Sequence, residues 1–550
     1  MQMHVRGLRT AMLVATAGFA IAALRAQSGS GGVAPTASPD DWSSYNRTYT
    51  GERFSPLDQI TTANVGGLRP VCTFDTGEQV SFETGPVVVA GVMYITTDTA
   101  TYAVDAATCA QRWKHTHTSG PTQLQVNRGV AYDNGRVFRG AGNGHVIAID
   151  AMAGRTVWDV QLAPTVQGVT VPMAPVAWNG LVFVGNAGGD IFGVTGHVWA
   201  LDQRDGRTVW RFDVVPQSGP ARATWKNDPA FPITGGAFWT TFAVDPQASV
   251  LYVPAGNPAP DFMPEVRPGE NLYSNSVVAL DAKSGAPVGY IQVVKNDYHD
   301  WDVSAAPVLL TTRGGRRLVA SANKDGLLSA IDRSAVRAGG GATTPGSGLP
   351  PAMMLLFQTP TTTRENVETP LSADAPVRFC PGTQGGSEWN GPAYDSARNL
   401  LFVGATDWCS TVQVRRRDTL GGSPGAFWSG ATQGFGTTDP LDKRQGWLTA
   451  IDADTGEVKW KYRSTLPMVA GVTPTAGGIV FTGEMNGDAI AFDSTSGKEL
   501  WRQKTGNAIG GGVVTYRAGG RQLVAMAAGF KSAVWRTVAE SNRVIVFGLP

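Results

Sequence analysis

One recurring pattern limits what this chain can fold into: a run ending Ala-x-Asp, a turn that often contains Gly, and then a strand bearing Trp. Ala103-Val104-Asp105 leads to Trp113, Ala148-Ile149-Asp150 to Trp158, Ala200-Leu201-Asp202 to Trp210, Ala450-Ile451-Asp452 to Trp460, and Ala491-Phe492-Asp493 to Trp501. Ala279-Leu280-Asp281 repeats the strand and turn without the Trp, and Ala330-Ile331-Asp332 is a more degenerate copy. The physical unit is a hairpin. Asp accepts hydrogen bonds from the amides of its own turn, Gly supplies φ > 0, and Trp buries a large ring against the next unit. Between copies, runs such as Gly180-Leu-Val-Phe-Val-Gly185 and Gly478-Ile-Val-Phe-Thr-Gly483 are short, β-branched or aromatic and bounded by Gly, as strands are. Helical periodicity is sparse, and 68 Gly with 34 Pro call for many tight turns. Four-stranded units of about 40–50 residues repeated around a ring make a β-propeller rather than a sandwich or a solenoid.

A ring hides its edges only when its terminal strands are paired, often by one chain end completing the sheet begun at the other. Asn542-Arg-Val-Ile-Val-Phe547 is predicted to be such a strand. Two stretches interrupt the repeat. The glycine-rich run from Gly339 to Pro350 is a flexible excursion, because the repeat resumes after it. The insertion from Val414 to Arg444 is expected to line one mouth of the ring.

The amino terminus reads as a secretory leader. Arg6 and Arg9 precede an apolar run from Ala11 to Leu24 that is too short for a membrane span, and Ala26 is the expected cleavage point. Residues 27–550 then form a single domain, with no stable membrane span after cleavage. In an oxidising compartment Cys72, Cys109, Cys380 and Cys409 are expected to form two disulfides. Three connectivities are open, and the sequence-local one, Cys72–Cys109 with Cys380–Cys409, is favoured. The sequence contains no Cys-x-x-Cys-His, so no c-type haem attaches within it. A net charge of +1 with no basic cluster argues against nucleic acid as a partner.

Function must come from a site, since many activities share one scaffold. The repeat, together with Trp42-Ser-Ser-Tyr-Asn46, Arg53-Phe-Ser-Pro-Leu-Asp-Gln-Ile60, Gly235-Gly-Ala-Phe-Trp239, Gly256-Asn-Pro-Ala-Pro260 and His299-Asp-Trp-Asp302, resembles the pyrroloquinoline quinone (PQQ)-dependent methanol and alcohol dehydrogenases over nearly the whole chain after the leader. That resemblance implies an all-β, eight-bladed propeller in the periplasm. It implies that Trp239 is the floor on which the quinone stacks, that Asn257 is a metal ligand, and that Asp302 is both catalytic base and metal ligand. Glu83, Arg128 and Lys324 match positions that hold the quinone, and Trp389 falls in a segment lining the funnel. The chemistry agrees. A flat conjugated tricarboxylate gains from an aromatic face and from Arg and Lys donors, and a carboxylate beside a cation can accept a hydroxyl proton. Where lanthanide-using members carry a further Asp, this chain has Ser304, which favours Ca²⁺.

The chain departs from the family pattern in places. Asp190 stands for the acidic metal ligand, usually Glu, and its shorter side chain shifts the ion or admits a water. Thr122-Gln123 replaces the adjacent cysteines that cover the quinone, Glu388 stands for a funnel Asn, and Pro172 for a threonine. Substrate class therefore transfers poorly. The leading expectation is an alcohol oxidoreductase that passes electrons to a separate periplasmic cytochrome c or copper protein. The alternatives are a non-catalytic propeller serving as a protein-binding scaffold, and a quinoprotein that binds cofactor without turnover.

Overall fold

The computed structural model describes residue 1 and residues 38–118, 125–163, 168–339 and 347–550. The leader beyond Met1, Thr122-Gln123 and most of the glycine-rich excursion lie outside the described residues. The fold is all-β, with one five-residue helix, Gly219–Ala223, and a few 3₁₀ turns among the described residues. No helix among the described residues is long and apolar enough to cross a membrane.

Eight four-stranded antiparallel sheets are present among the described residues. Seven follow the chain in simple up-and-down order, within residues 87–116, 131–161, 176–213, 243–292, 308–360, 393–464 and 473–504. The eighth joins Ile509–Ala518, Arg521–Ala528 and Arg543–Gly548 to Arg69–Asp75 from the other end of the chain. In that pair Phe74 faces Val544 and Asp75 faces Arg543. The carboxy-terminal strand thus does what its sequence predicts: it removes an exposed edge.

Each sheet shares an apolar core with the next. Tyr94 packs with Val137, Val182 with Val244, Val250 with Val319, Leu328 with Leu401, Phe402 with Val480, and Phe481 with Val524 in continuous buried clusters. The last sheet shares a further core with the first through Val514, Tyr516, Met93 and Ile95. The amide of Gly512 also donates to the carbonyl of Thr84 across that seam, at 2.8 Å. The sheets therefore close into a propeller. Each fully buried Val, Leu or Phe contributes about 1.5–3 kcal/mol, so no single seam dominates.

The Ala-x-Asp…Trp repeat is the device that joins neighbours. Ala and Trp face each other on the third and fourth strands, as in Ala103 with Trp113, Ala148 with Trp158 and Ala200 with Trp210. The small residue leaves room for the ring. Four of the indole N–H groups donate to a carbonyl of the following sheet: Trp113 to Ala151 at 3.0 Å, Trp158 to Gln203 at 2.9 Å, Trp210 to Ala282 at 3.1 Å and Trp460 to Ser494 at 3.0 Å. The Asp residues cap their turns as expected, with Asp150 Oδ1 accepting from the amides of Met152 and Ala153. The turn glycine has a second duty that sequence alone did not reveal. A Cβ on Gly206 would sit 2.8 Å from the Trp158 ring, in addition to its φ of +75°. In the degenerate fifth copy, Phe357 takes the Trp position opposite Ala330 and packs on Gly456, after the excursion has lengthened the turn.

Both expected disulfides are formed, Cys72–Cys109 and Cys380–Cys409.

Candidate functional site

In an up-and-down sheet, the start of the first strand and the end of the second lie at the same end. Glu83, Arg128, Trp239, Asp302 and Trp389 each shortly precede the first strand of a sheet, whereas Asp190, Asn257 and Lys324 shortly follow a second strand. The first strands of successive sheets touch one another over most of the ring. These eight residues, from six sheets, are thereby brought to one end of the ring near its axis. All eight line a single cavity of about 1080 Å³. That volume is at or above the ~300–1,000 Å³ usual for a small-molecule site.

The cavity has two walls of different chemistry. On one side, Arg128 forms an ion pair with Glu83 at 2.7 Å, with both side chains buried. Its Nη1 donates to the Trp239 carbonyl oxygen at 3.0 Å, and its Cζ lies 4.8 Å from the Trp239 ring centre and 5.4 Å from that of Trp389. Trp389 is fixed through an indole N–H bond to Gly510 at 2.9 Å. Trp239 lies outside the Ala-x-Asp…Trp repeat and packs against Arg128 and the apolar cluster around Trp389. Its ring faces the cavity.

The opposite wall is acidic. Lys324 Nζ bridges Asp300 Oδ2 at 2.9 Å and Asp302 Oδ2 at 3.2 Å. Asp302 Oδ1 accepts the Asn257 amide at 3.0 Å, and Asn257 Nδ2 donates to Asp261 Oδ1 at 2.9 Å. Gly256 is required here by close approach, because a Cβ at that position would collide with Asp302 Oδ1. Asp190, Asp261 and Asp300 offer carboxylate oxygens that all lie within 4.8 Å of one another. At an effective dielectric constant of ~20, two charges that close repel by about 3.5 kcal/mol. Burial, then the neighbouring Asp302, pushes the Asp190 carboxyl up to about 6. Burial and adjacent carboxylates drive Asp261 and Asp300 well above the ordinary range. Burial alone would lower the Lys324 ammonium, but Asp300 and Asp302 together hold it well above its usual value. Glu388 is pushed up to about 8 by burial, against the pull of Lys324.

The residues present fit a quinone and a cation. Arg128 Nε, Glu388 Oε1 and Asp261 Oδ2 are buried without a hydrogen-bond partner, an arrangement that costs free energy unless a bound group satisfies it. An oxygen-rich acidic cluster beside an aromatic platform supplies the donor set that a hard cation and a flat tricarboxylate need.

Sequence reasoning missed Asp261 and gave Asp300 no ligand role. Asp261 directly follows Gly256-Asn-Pro-Ala-Pro260, so a carboxylate one residue past a ligand motif was the available signal. It also did not name the residues at the cavity mouth. Phe427 and Phe435, from the insertion expected to line a mouth, pack on each other with ring centres 5.4 Å apart and line the cavity together with Val534 and Trp535. His299 belongs to a stack instead: its ring lies 4.0 Å from Trp301 and 4.6 Å from Phe379, and burial lowers it to about 3.

The family model for the glucose/ethanol/alcohol dehydrogenase β-propeller domain matches residues 42–335. A model for the outer membrane protein assembly factor BamB matches residues 444–547. The chain is 29% identical to the quinoprotein alcohol dehydrogenase PedH of Pseudomonas putida, over 88% of this chain and 85% of that protein. It is 30% identical to the dehydrogenase subunit of alcohol dehydrogenase (quinone) of Gluconobacter oxydans, over 93% and 74% respectively. Among solved structures, the quinohemoprotein alcohol dehydrogenase ADHIIG of Pseudomonas putida matches with a TM-score of 0.82 at 27% identity, covering 93% of this chain and 80% of that one. A europium-containing methanol dehydrogenase matches in fold with a TM-score of 0.79 at 24% identity, covering 93% and 98%.

Proposed function

From the premise that the chain belongs to the PQQ-dependent glucose/ethanol/alcohol dehydrogenase family, we propose that it oxidises an alcohol in the periplasm, with Asp302 as the base. On this reading the leader is removed after Ala26, residues 27–550 form one domain, and the eight four-stranded sheets are the eight blades of its propeller. The observation that carries the proposal is the convergence, in one cavity, of the Trp239 platform, the Arg128–Glu83 pair and the Asp302–Lys324 pair.

Trp239 would support the quinone from below, with Arg128, Glu83, Lys324 and Trp389 orienting it. Asp190, Asn257 and Asp302 would hold a hard, oxygen-liganded cation, Ca²⁺ or a lanthanide. A quinone held there would supply a two-electron hydride acceptor for the carbinol carbon, and a cation held by the aspartates would supply Lewis acidity. Asp302 takes the hydroxyl proton, so the alcohol leaves as an aldehyde or ketone. Two contacts hold Asp302 in place as the base. The Asn257 amide fixes Oδ1, and Lys324 stabilises the charge on Oδ2. The apolar side chains that line the cavity, Trp239, Trp389, Phe435 and Trp535 among them, would limit water around the reacting atoms. Electrons would then pass to a separate cytochrome c or copper protein.

The test is reconstitution of metal-stripped protein with PQQ and a cation, followed by cofactor absorbance and by dye reduction with a panel of primary alcohols, secondary alcohols and aldoses. Cation-dependent binding with turnover supports the reading. Absence of PQQ binding with either Ca²⁺ or a lanthanide would overturn it.

A further inference from the structure

We propose that Asp261 and Asp300 are two further ligands of the cation, and that the resulting four-carboxylate site selects a trivalent ion of the lanthanide kind over Ca²⁺. The inference rests on the cation reading of the same cavity and adds to it the identity of the ion.

The geometry comes first. Asp190, Asp261 and Asp300 present oxygens within 4.8 Å of one another, a separation that a single ion can span. Asp261 is fully buried, and its Oδ2 has no partner at all. An orphaned carboxylate oxygen in such a place is costly unless an ion completes it. Asn257 commits Nδ2 to Asp261, so its amide oxygen is the atom it has left to offer a cation. The opposite side of the cluster is closed by Asp302, which is tied to Asn257 and Lys324.

Charge then decides between ions. Four aspartates and Glu388 surround one ammonium, that of Lys324, so negative charge is in clear excess when the carboxyls ionise. Arg267 acts on Asp261 and is shared with other partners. It donates to the carbonyls of Pro260, Asp261 and Asp297 and to the Asn271 side chain, and the buried Asp297 carboxylate offsets its charge. A trivalent ion leaves less negative charge buried and uncompensated than a divalent ion does. Buried charge is tolerated only when it is paired, so the trivalent ion is preferred. Ser304 cannot add a carboxylate, and its hydroxyl is already committed to the Ser387 carbonyl at 2.5 Å. The extra charge comes from Asp261 and Asp300 instead.

The experiment uses the full-length, metal-stripped protein without PQQ. Tb³⁺ luminescence, sensitised by the nearby Trp239, Trp301 and Trp389, reports ion binding, and Ca²⁺ competition gives the selectivity ratio. Asp261→Asn preserves the hydrogen bond from Asn257 while removing the charge, and Asp300→Asn gives an independent second variant. Each substitution is expected to lower the Tb³⁺-over-Ca²⁺ ratio by about tenfold or more, because it removes one charged ligand. Circular dichroism confirms that each variant is folded, and if one is not, the other decides. An unchanged ratio in the folded variants would overturn the proposal. Tight Tb³⁺ binding with no alcohol turnover after PQQ is added would instead overturn the dehydrogenase reading and leave the ion site standing.

Discussion

Arg128 and Trp239 are joined twice: the guanidinium carbon lies 4.8 Å from the indole ring centre, and Nη1 donates to the Trp239 carbonyl oxygen at 3.0 Å. One residue thus braces both the ring and the backbone of the platform, while Glu83 braces the arginine from behind. Planar, bidentate donors do this where a lysine could not.

If the indole is the floor of the quinone site, Trp239→Ala should weaken PQQ binding by about one to two orders of magnitude, since stacking and apolar area are both lost. Equilibrium binding followed by cofactor absorbance measures this. Because the ring also packs on Arg128 and against the apolar cluster around Trp389, thermal unfolding of the metal-stripped variant is measured alongside, and PQQ affinity is compared at a temperature where both proteins are folded. A variant that binds PQQ as tightly as the parent would remove Trp239 from the site.

Asp302→Asn keeps the acceptor for the Asn257 amide but cannot take a proton. Turnover of the reconstituted enzyme should fall by about 10²–10⁴-fold, the usual worth of a general base, with PQQ affinity changed far less. The separation of kcat from cofactor affinity is the diagnostic feature. Retained kcat would mean that another group accepts the proton, and Glu388 would be the next to mutate.

Sheet docking makes a prediction of its own. Trp158 faces Ala148, donates to Gln203 and covers Gly206. Trp158→Ala should therefore cost about 3–5 kcal/mol, and Gly206→Ala about 1 kcal/mol or more, because a Cβ there is strained at φ +75° and pressed into the ring. Differential scanning calorimetry should rank the two variants in that order. The reverse order would mean that the turn, not the ring, is the principal lock.

The fold was legible because its information is local. Trp113, Trp158, Trp210, Trp460 and Trp501 recur at fixed offsets from Asp, and each offset encodes one hairpin. The fifth copy was harder to read because Phe357 stands where Trp was sought, on the far side of an excursion. The candidate site was legible only where residues sit in recognisable strings, as Trp239, Asn257 and Asp302 do. Asp261 and Asp300 gave no such signal. Acids in turns ordinarily cap amides, and nearby Asp297 does so for His299 and Trp301. Only the ring closure, which places the loops of the third, fourth and fifth sheets side by side, sets Asp190 against Asp261 and Asp300. The charge of that cluster is a property of tertiary structure.

Asp325 carries a stability prediction separable from catalysis. Its carboxyl is buried, accepts the Leu327 amide at 3.1 Å, and is pushed by burial up to about 7. In the unfolded chain an Asp titrates near ~4, so between about pH 4 and pH 7 the folded protein holds more protons than the unfolded one. This contribution to stability is full below pH ~4 and is lost as pH rises through ~7, an upper limit of about 4 kcal/mol. Asp325→Asn keeps the acceptor for Leu327 but removes the ionisation. The variant should therefore melt above the parent at pH 8, by several °C, with a clearly smaller gap at pH 5. Melting curves at the two pH values in the same salt measure this. An equal gap at both would show that Asp325 ionises no differently when folded, and would place the cost of its burial in packing rather than in charge.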